Sequence, residues 1–263
     1  MGIKMLTRIC SVLGCSVLLS VAALWSPDSY GADIDDAAVQ HAGRSAEDLK
    51  RDESEHPAEV LRLAGIKPGM KVGDVMAAAG YYSELLSYIV GPKGRVLLLN
   101  NTAYDQWSEG GWKKRLADNR LPNVEHRTID LEHIDLPDSS LDALVLMKVY
   151  HDFYWIDTGP KAIWPKMDAS VVLDQLARVL KPGGLVLVED HSAKPGTGST
   201  VASSLHRIDE AYTVRDFEKR GFKLIRKSDL LRKPDDQREL VSYTPPGLGH
   251  TDRFLLVFRK NTG

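Results

Sequence analysis

The chain has 263 residues, 43% of them hydrophobic and 27% charged, with 34 lysines and arginines against 36 acids. That length allows one sizeable core, and the absence of a basic surplus excludes nucleic acid as an expected partner. One segment of different composition comes first. Lys4 and Arg8 precede an uncharged apolar run, Ile9 to Trp25, followed by Pro27 and Ser29-Tyr30-Gly31-Ala32. Charge, apolar stretch and small residues in that order predict a signal peptide over residues 1–32, cleaved near Gly31 or Ala32, with an uncleaved anchor as the alternative. The remaining domain, 33–263, is expected to be exported, periplasmic or secreted, with no stable membrane association after cleavage. Cys10 and Cys15 both lie in the leader, so the exported part would carry no thiol. Disulfides, thiolate nucleophiles and cysteine metal sites are then excluded.

After an acidic and loose entry, Asp33 to Asp36, the sequence Ser45-Ala-Glu-Asp-Leu predicts a helix with a capping serine, and Pro57 to Ala64 a second helix. Strand and helix then alternate: strand Met70–Val75, helix Tyr81–Val90, strand Gly94–Leu99, helix Trp112–Asn119, strands Val124–Ile129 and Leu141–Val149, helix Asp168–Leu180, strand Leu185–Glu189. Such alternation predicts an α/β fold, a mostly parallel sheet doubly wound with helices. The end differs, with helix Val214–Arg220 followed by strands Phe222–Lys227 and Arg253–Phe258 and no helix between them. An antiparallel pair should therefore close the sheet. Ligands of such sheets bind at the carboxyl ends of the strands, near the switch in strand order.

Three stretches carry a resemblance. Asp74 ends a strand before a small-residue loop and Gly80-Tyr-Tyr-Ser83. The second stretch runs from Asp130-Leu-Glu-His-Ile-Asp-Leu-Pro-Asp-Ser-Ser-Leu to Asp142, and the third from Arg178-Val-Leu-Lys-Pro-Gly-Gly to Glu189. Together, in order and at this spacing, they resemble class I S-adenosylmethionine-dependent methyltransferases over about residues 45 to 260. Tyr150-His-Asp-Phe, Glu189-Asp-His-Ser and His206-Arg-Ile-Asp further resemble a small bacterial branch of predicted, often exported methyltransferases. The resemblance implies seven strands with the last reversed, S-adenosyl-L-methionine as cofactor, and Asp74, Ala78, Gly80, Asn100 and Asp130 around one cofactor pocket.

The chain departs from the family in the loop itself. Where the family has Gly-x-Gly-x-Gly, this sequence reads Met76-Ala-Ala-Ala-Gly80. Glycine tolerates positive φ and lets backbone amides approach a ligand, so a weakened loop is expected, with Met76 packing under the sheet as the alternative. Asn100 stands where the family has an acid for the ribose hydroxyls, and an amide bonds a hydroxyl without the strength of a charge.

For chemistry, His151 and Asp152 follow one strand, and Asp190 and His191 another. A histidine near its ordinary pKa can take a proton from a methyl acceptor. His151 is the first choice for that base, with Asp152 its partner and His191 second; a purely structural role of the aspartates in holding the rings is the alternative. His206, Asp209 and Glu210 are read as sharing one helical face that could join these histidines in a metal site. No ligand spacing is diagnostic, and no metal is expected. Trp107, Trp112, Trp155 and Trp164 lie in the segments after two strands, which suggests a small apolar or aromatic substrate. Lys113-Lys-Arg115 reads as a solvated face. Besides methyl transfer, two functions stay open: ligand binding on a catalytically retired fold, and metal-assisted hydrolysis by the His/Asp residues.

Overall fold

The computed structural model describes Met1, residues 34–156 and residues 163–262. The expected leader and its cleavage site, Met1 apart, lie outside the described residues. Helical residues 34–39 (α1) precede α2 (Ala46–Glu55), where Ser45 accepts a hydrogen bond from the Asp48 amide as the sequence predicts, and α3 (Pro57–Ala64). Then come β1 (Lys71–Val75), α4 (Tyr81–Val90), β2 (Arg95–Asn100), α5 (Thr102–Trp107), α6 (Gly111–Arg115), β3 (Val124–Thr128) and β4 (Leu141–Met147). A 3-10 turn, Tyr150–Tyr154, leads on to α7 (Ala169–Val179) and β5 (Leu180–His191). The chain continues through α8 (Ala202–Leu205), α9 (Glu210–Glu218), β6 (Phe222–Ser228) and β7 (Arg253–Lys260).

The seven strands form one sheet in the order β3-β2-β1-β4-β5-β7-β6. All pairings are parallel except those of β7, which runs antiparallel to both β5 and β6. The reversed strand therefore lies one place in from the edge, inserted between two strands that precede it in the chain. Because side chains alternate along a strand, the sheet feeds two cores. Val72, Val96, Val145 and Leu187 pack with Leu61 of α3 and Leu85 of α4, while Leu97, Leu144 and Val188 pack with Leu173 of α7 and Phe217 of α9. Each fully buried leucine contributes about 1.5–3 kcal/mol, so the two faces together hold the sheet.

Local chemistry moved several boundaries. The entry is helical rather than loose, and Asp35 is buried there 3.9 Å from Arg62. Asn101 caps the short α5, which the sequence pattern misses, by accepting from the Tyr104 amide at 2.8 Å. Asp209 caps α9 and starts it four residues early. His206, Asp209 and Glu210 consequently share no helical face, since His206 ends α8 in a left-handed conformation, φ 49°, and Asp209 precedes the next helix.

Candidate active site

Strand order reverses between β1 and β4, and there a cavity of about 820 Å³ opens at their carboxyl ends. Its floor is Asp74 to Ala79, its sides are Tyr104 and Trp107 from α5 and Met147 to Val149 after β4, and α2 covers it with Asp48 and Arg51.

The loop after β1 keeps the shape that its sequence no longer specifies. Met76, Ala78 and Gly80 have φ of 52°, 53° and 80°, so every second residue is left-handed, as a run of alternating glycines would allow. For a residue with a Cβ that conformation costs about 1–2 kcal/mol. Three contacts hold it there. The Met76 side chain is buried with Leu97, Leu99 and Tyr104, the Met76 amide donates to the Leu99 carbonyl at 2.6 Å, and Asn100 grips Ala78. Asn100 Oδ1 accepts from the Ala78 amide at 2.9 Å, and its Nδ2 donates to the Ala78 carbonyl at 3.0 Å and to Asp105 at 2.9 Å. Gly80 cannot be exchanged in the same way: a Cβ there would meet Leu98 Cδ1 at 2.6 Å.

Asp74 lines the cavity from beneath, and Ser83 Oγ donates to its carboxylate at 2.6 Å. Burial nevertheless pushes the carboxyl up to about 7. Arg115 ties the walls together. Its guanidinium bonds Asp48 at 2.7 Å, the Ala79 carbonyl at 2.6 Å and Glu84, so it is a brace rather than part of a solvated face. Lys148, at the β4 end, bonds Glu55 at 2.6 Å, and Arg253 bonds Glu55 and Glu189 at 2.6 Å each. Burial alone would raise the Glu55 carboxyl, but Lys148 and Arg253 hold it down at about 2.

Of the expected cofactor residues, Asp74 and Ala78 line the cavity, and Gly80 starts α4 just below it. Asn100 spends its amide on the loop. Asp130 is exposed at the end of β3, 3.5 Å from His133, and is not among the described residues that line the cavity.

The expected base is placed differently as well. His151 is buried, its Nδ1 2.7 Å from Asp190 Oδ1 and its Nε2 3.2 Å from Asp152 Oδ1, so it takes one carboxylate from each pair read in the sequence. Burial opposes its charge, yet Asp152 and Asp190 outweigh this and push it up to about 10. A ring so held is already protonated at neutral pH. His191 turns away to Thr251 Oγ1 at 2.8 Å, and burial and the charge on His151 keep it neutral. None of His151, Asp152 and His191 is among the described residues lining the cavity. The connection is Tyr104, which does line it and whose hydroxyl donates to Asp152 Oδ2 at 2.5 Å. The sequence offers Tyr104 only as one of the aromatics after β2 that suggest an apolar substrate, since its helix is not legible there.

Comparison with known proteins agrees with this geometry. Residues 80–188 match the family model described as a methyltransferase domain. The ubiquinone/menaquinone biosynthesis C-methyltransferase UbiE of Ectopseudomonas mendocina is 32% identical over 136 residues, 52% of this chain and 47% of that protein. UbiE of a Shewanella species is 26% identical over 182 residues, 69% of this chain and 61% of that one. The chain thus spans about half the length of the first of these relatives. Among solved structures, a SAM-dependent methyltransferase from Aquifex aeolicus superposes with a TM-score of 0.56 at 20% identity, covering 88% of this chain and 97% of the other. The 4+2 cyclase SpnF superposes at 0.60 and 14% identity, covering 81% and 83%. The sheet is that of the class I methyltransferases. Residues 80–188 of the chain are thus similar to methyltransferase domains, and its fold is the class I methyltransferase fold.

Proposed function

We propose that this protein binds S-adenosyl-L-methionine in the β1–β4 cavity and transfers a methyl group to a small apolar or aromatic molecule. The observation that carries the reading is the loop: left-handed backbone at Met76, Ala78 and Gly80 is maintained, at a cost, where the superfamily uses glycines. The residues fit the cofactor in a second respect. Asp74 is a buried carboxyl whose charge lacks a full counterpart, and a ligand bringing a cation would supply it. The cavity's volume is also that of a typical cofactor site.

When bound, the cofactor supplies an electrophilic methyl on a sulfonium. Asp74 would hold the cationic end, Trp107 and Tyr104 would face flat apolar groups, and α2 would shield the site from water. Tyr104 takes the place at the wall that the sequence assigns to His151: its oxygen accepts a proton from the methyl acceptor as its own proton moves to Asp152. UbiE relatives are named C-methyltransferases, which leaves carbon open here besides oxygen and nitrogen as the methyl-accepting atom. The order of charge, apolar run and small residues in 1–32 supports export as part of the proposal, and the secreted or periplasmic protein should then begin near Ala32 or Asp33 by mass spectrometry.

A second reading, ligand binding without transfer, is favoured by one observation: Asn100 already consumes both backbone groups of Ala78, which in an open loop would face the ligand. Calorimetric titration with S-adenosylmethionine and S-adenosylhomocysteine separates the readings. Affinity that strengthens about tenfold between pH 6 and pH 8, as Asp74 ionises, and loses that dependence in Asp74→Asn, supports the cofactor site. No heat with either compound, at either pH, rejects it.

A further inference from the structure

Three donor atoms from two separate segments converge beside the cavity without lining it. His151 Nε2 lies 3.1 Å from His206 Nδ1 and 3.2 Å from Asp152 Oδ1, and His206 Nδ1 lies 3.7 Å from Asp152 Oδ1. These separations put the three atoms on a circle of radius about 1.9 Å. A cation with bonds of about 2.0–2.1 Å then sits roughly 0.6 Å out of their plane, close to its height in a tetrahedron whose fourth vertex is open. We propose that His151, His206 and Asp152 form a binding site for one divalent transition-metal cation, with one coordination position left for water or an oxygen ligand.

The surroundings are those a metal site requires. Asp190 Oδ1 receives His151 Nδ1 at 2.7 Å while Asp190 Oδ2 accepts the His151 amide at 2.8 Å, which fixes the ring and turns Nε2 to the other donors. Tyr104 occupies Asp152 Oδ2 and leaves Oδ1 for the cation. His206 is clamped between Trp155 and Tyr243, with ring centroids at 3.9 and 4.2 Å. It is also held in a left-handed conformation, and its outer nitrogen Nε2 is buried with no hydrogen-bond partner among the described residues. That strained pose turns Nδ1, rather than Nε2, toward the other two donors. Two imidazoles and one carboxylate suit zinc, cobalt or ferrous iron, and match poorly the all-oxygen shells of magnesium and calcium. Binding requires both ligating ring nitrogens to be free of protons, so metal uptake releases acid.

The proposal goes beyond methyl transfer and does not depend on it, because its readout is the metal itself. The full chain, stripped with chelator, is titrated with Co²⁺ and then Zn²⁺, with bound metal measured by equilibrium dialysis and visible absorption. One equivalent per chain, with the intense visible bands of low-coordinate cobalt, is expected. His206→Ala should weaken binding more than about a hundredfold, and Asp190→Asn about ten- to a hundredfold. His133→Ala, at an exposed histidine, should change nothing. Wild-type affinity no higher than that of His206→Ala overturns the proposal. X-ray absorption of the zinc-loaded wild type gives a reading that needs no variant. Two imidazoles among nitrogen and oxygen neighbours support the site, and a sulfur shell from Cys10 and Cys15 refutes it.

Discussion

The two regions beside the sheet switch point are built on opposite plans. Residues 74–80 form a surface shaped by backbone, with an open cavity above it and few side-chain hydrogen bonds of their own; Asn100, Leu99 and Arg115 hold the loop from outside. At the carboxyl ends of β4 and β5 the reverse holds, because side chains pair with side chains, His151 with Asp152 and Asp190, and Arg253 with Glu189 and Glu55. The first region tolerates changed residue types as long as its neighbours keep the shape. The second does not, since each charge there depends on a partner in low dielectric.

That contrast can be broken most strongly at Arg253. Arg253→Met leaves Glu55 and Glu189 buried with only Lys148 and the more exposed Arg51, and should cost about 3–5 kcal/mol in denaturant unfolding. A loss under about 1 kcal/mol would mean that the interlock contributes specificity rather than stability.

The next effect is one of pH at Asp74. Its folded pKa, about 7, is raised above the unfolded value near 3.8, so the folded protein binds the extra proton. The stability from this group is fully present below about pH 4 and is lost as pH rises through 7, a change on the order of 4 kcal/mol. Asp48 and Glu84, held low by arginines, act in the opposite sense, so the test is a difference. Thermal unfolding of wild type and Asp74→Asn between pH 4 and pH 8 should diverge, with the variant gaining on the wild type as pH rises.

Within the loop the two substituted glycine positions should respond in opposite directions. Met76→Gly relieves left-handed strain but empties a buried site, and a net loss of about 2 kcal/mol is expected by chemical denaturation. Ala78→Gly relieves the same strain and gives up only one half-buried methyl. It should stabilise by up to about 1 kcal/mol and tighten S-adenosylhomocysteine binding by at most about tenfold in calorimetry. Equal responses at the two positions would show that Met76 contributes nothing by packing.

Several elements were legible because their cause is local. Ser45 and Asp168 cap the helices they precede, and α4 runs from Tyr81 to Val90 as its apolar spacing predicts. The alternation of strands and helices gave the sheet, whereas Asp74 and Ala78, which line the cavity, were named from the family resemblance. His151 and Asp152 were singled out and do meet, at 3.2 Å, but Asp190 was matched with the wrong ring. Neighbouring residues in sequence suggested His151 with Asp152 and His191 with Asp190, whereas parallel β4 and β5 set Asp190 against His151.

The sequence by itself determined the alternation of the main strands and helices and the antiparallel closing of the sheet, because hydrophobic period, caps and turn residues act over a few neighbours. Only the tertiary structure decided that Met76 fills the core, that Asn100 staples the loop, that Arg115 braces three segments and that His206 comes within 3.1 Å of His151 across 55 residues of chain. Those outcomes depend on burial and on charges brought together by strand pairing. Neither is encoded in any short stretch of residues; both come into being when the sheet closes and water leaves.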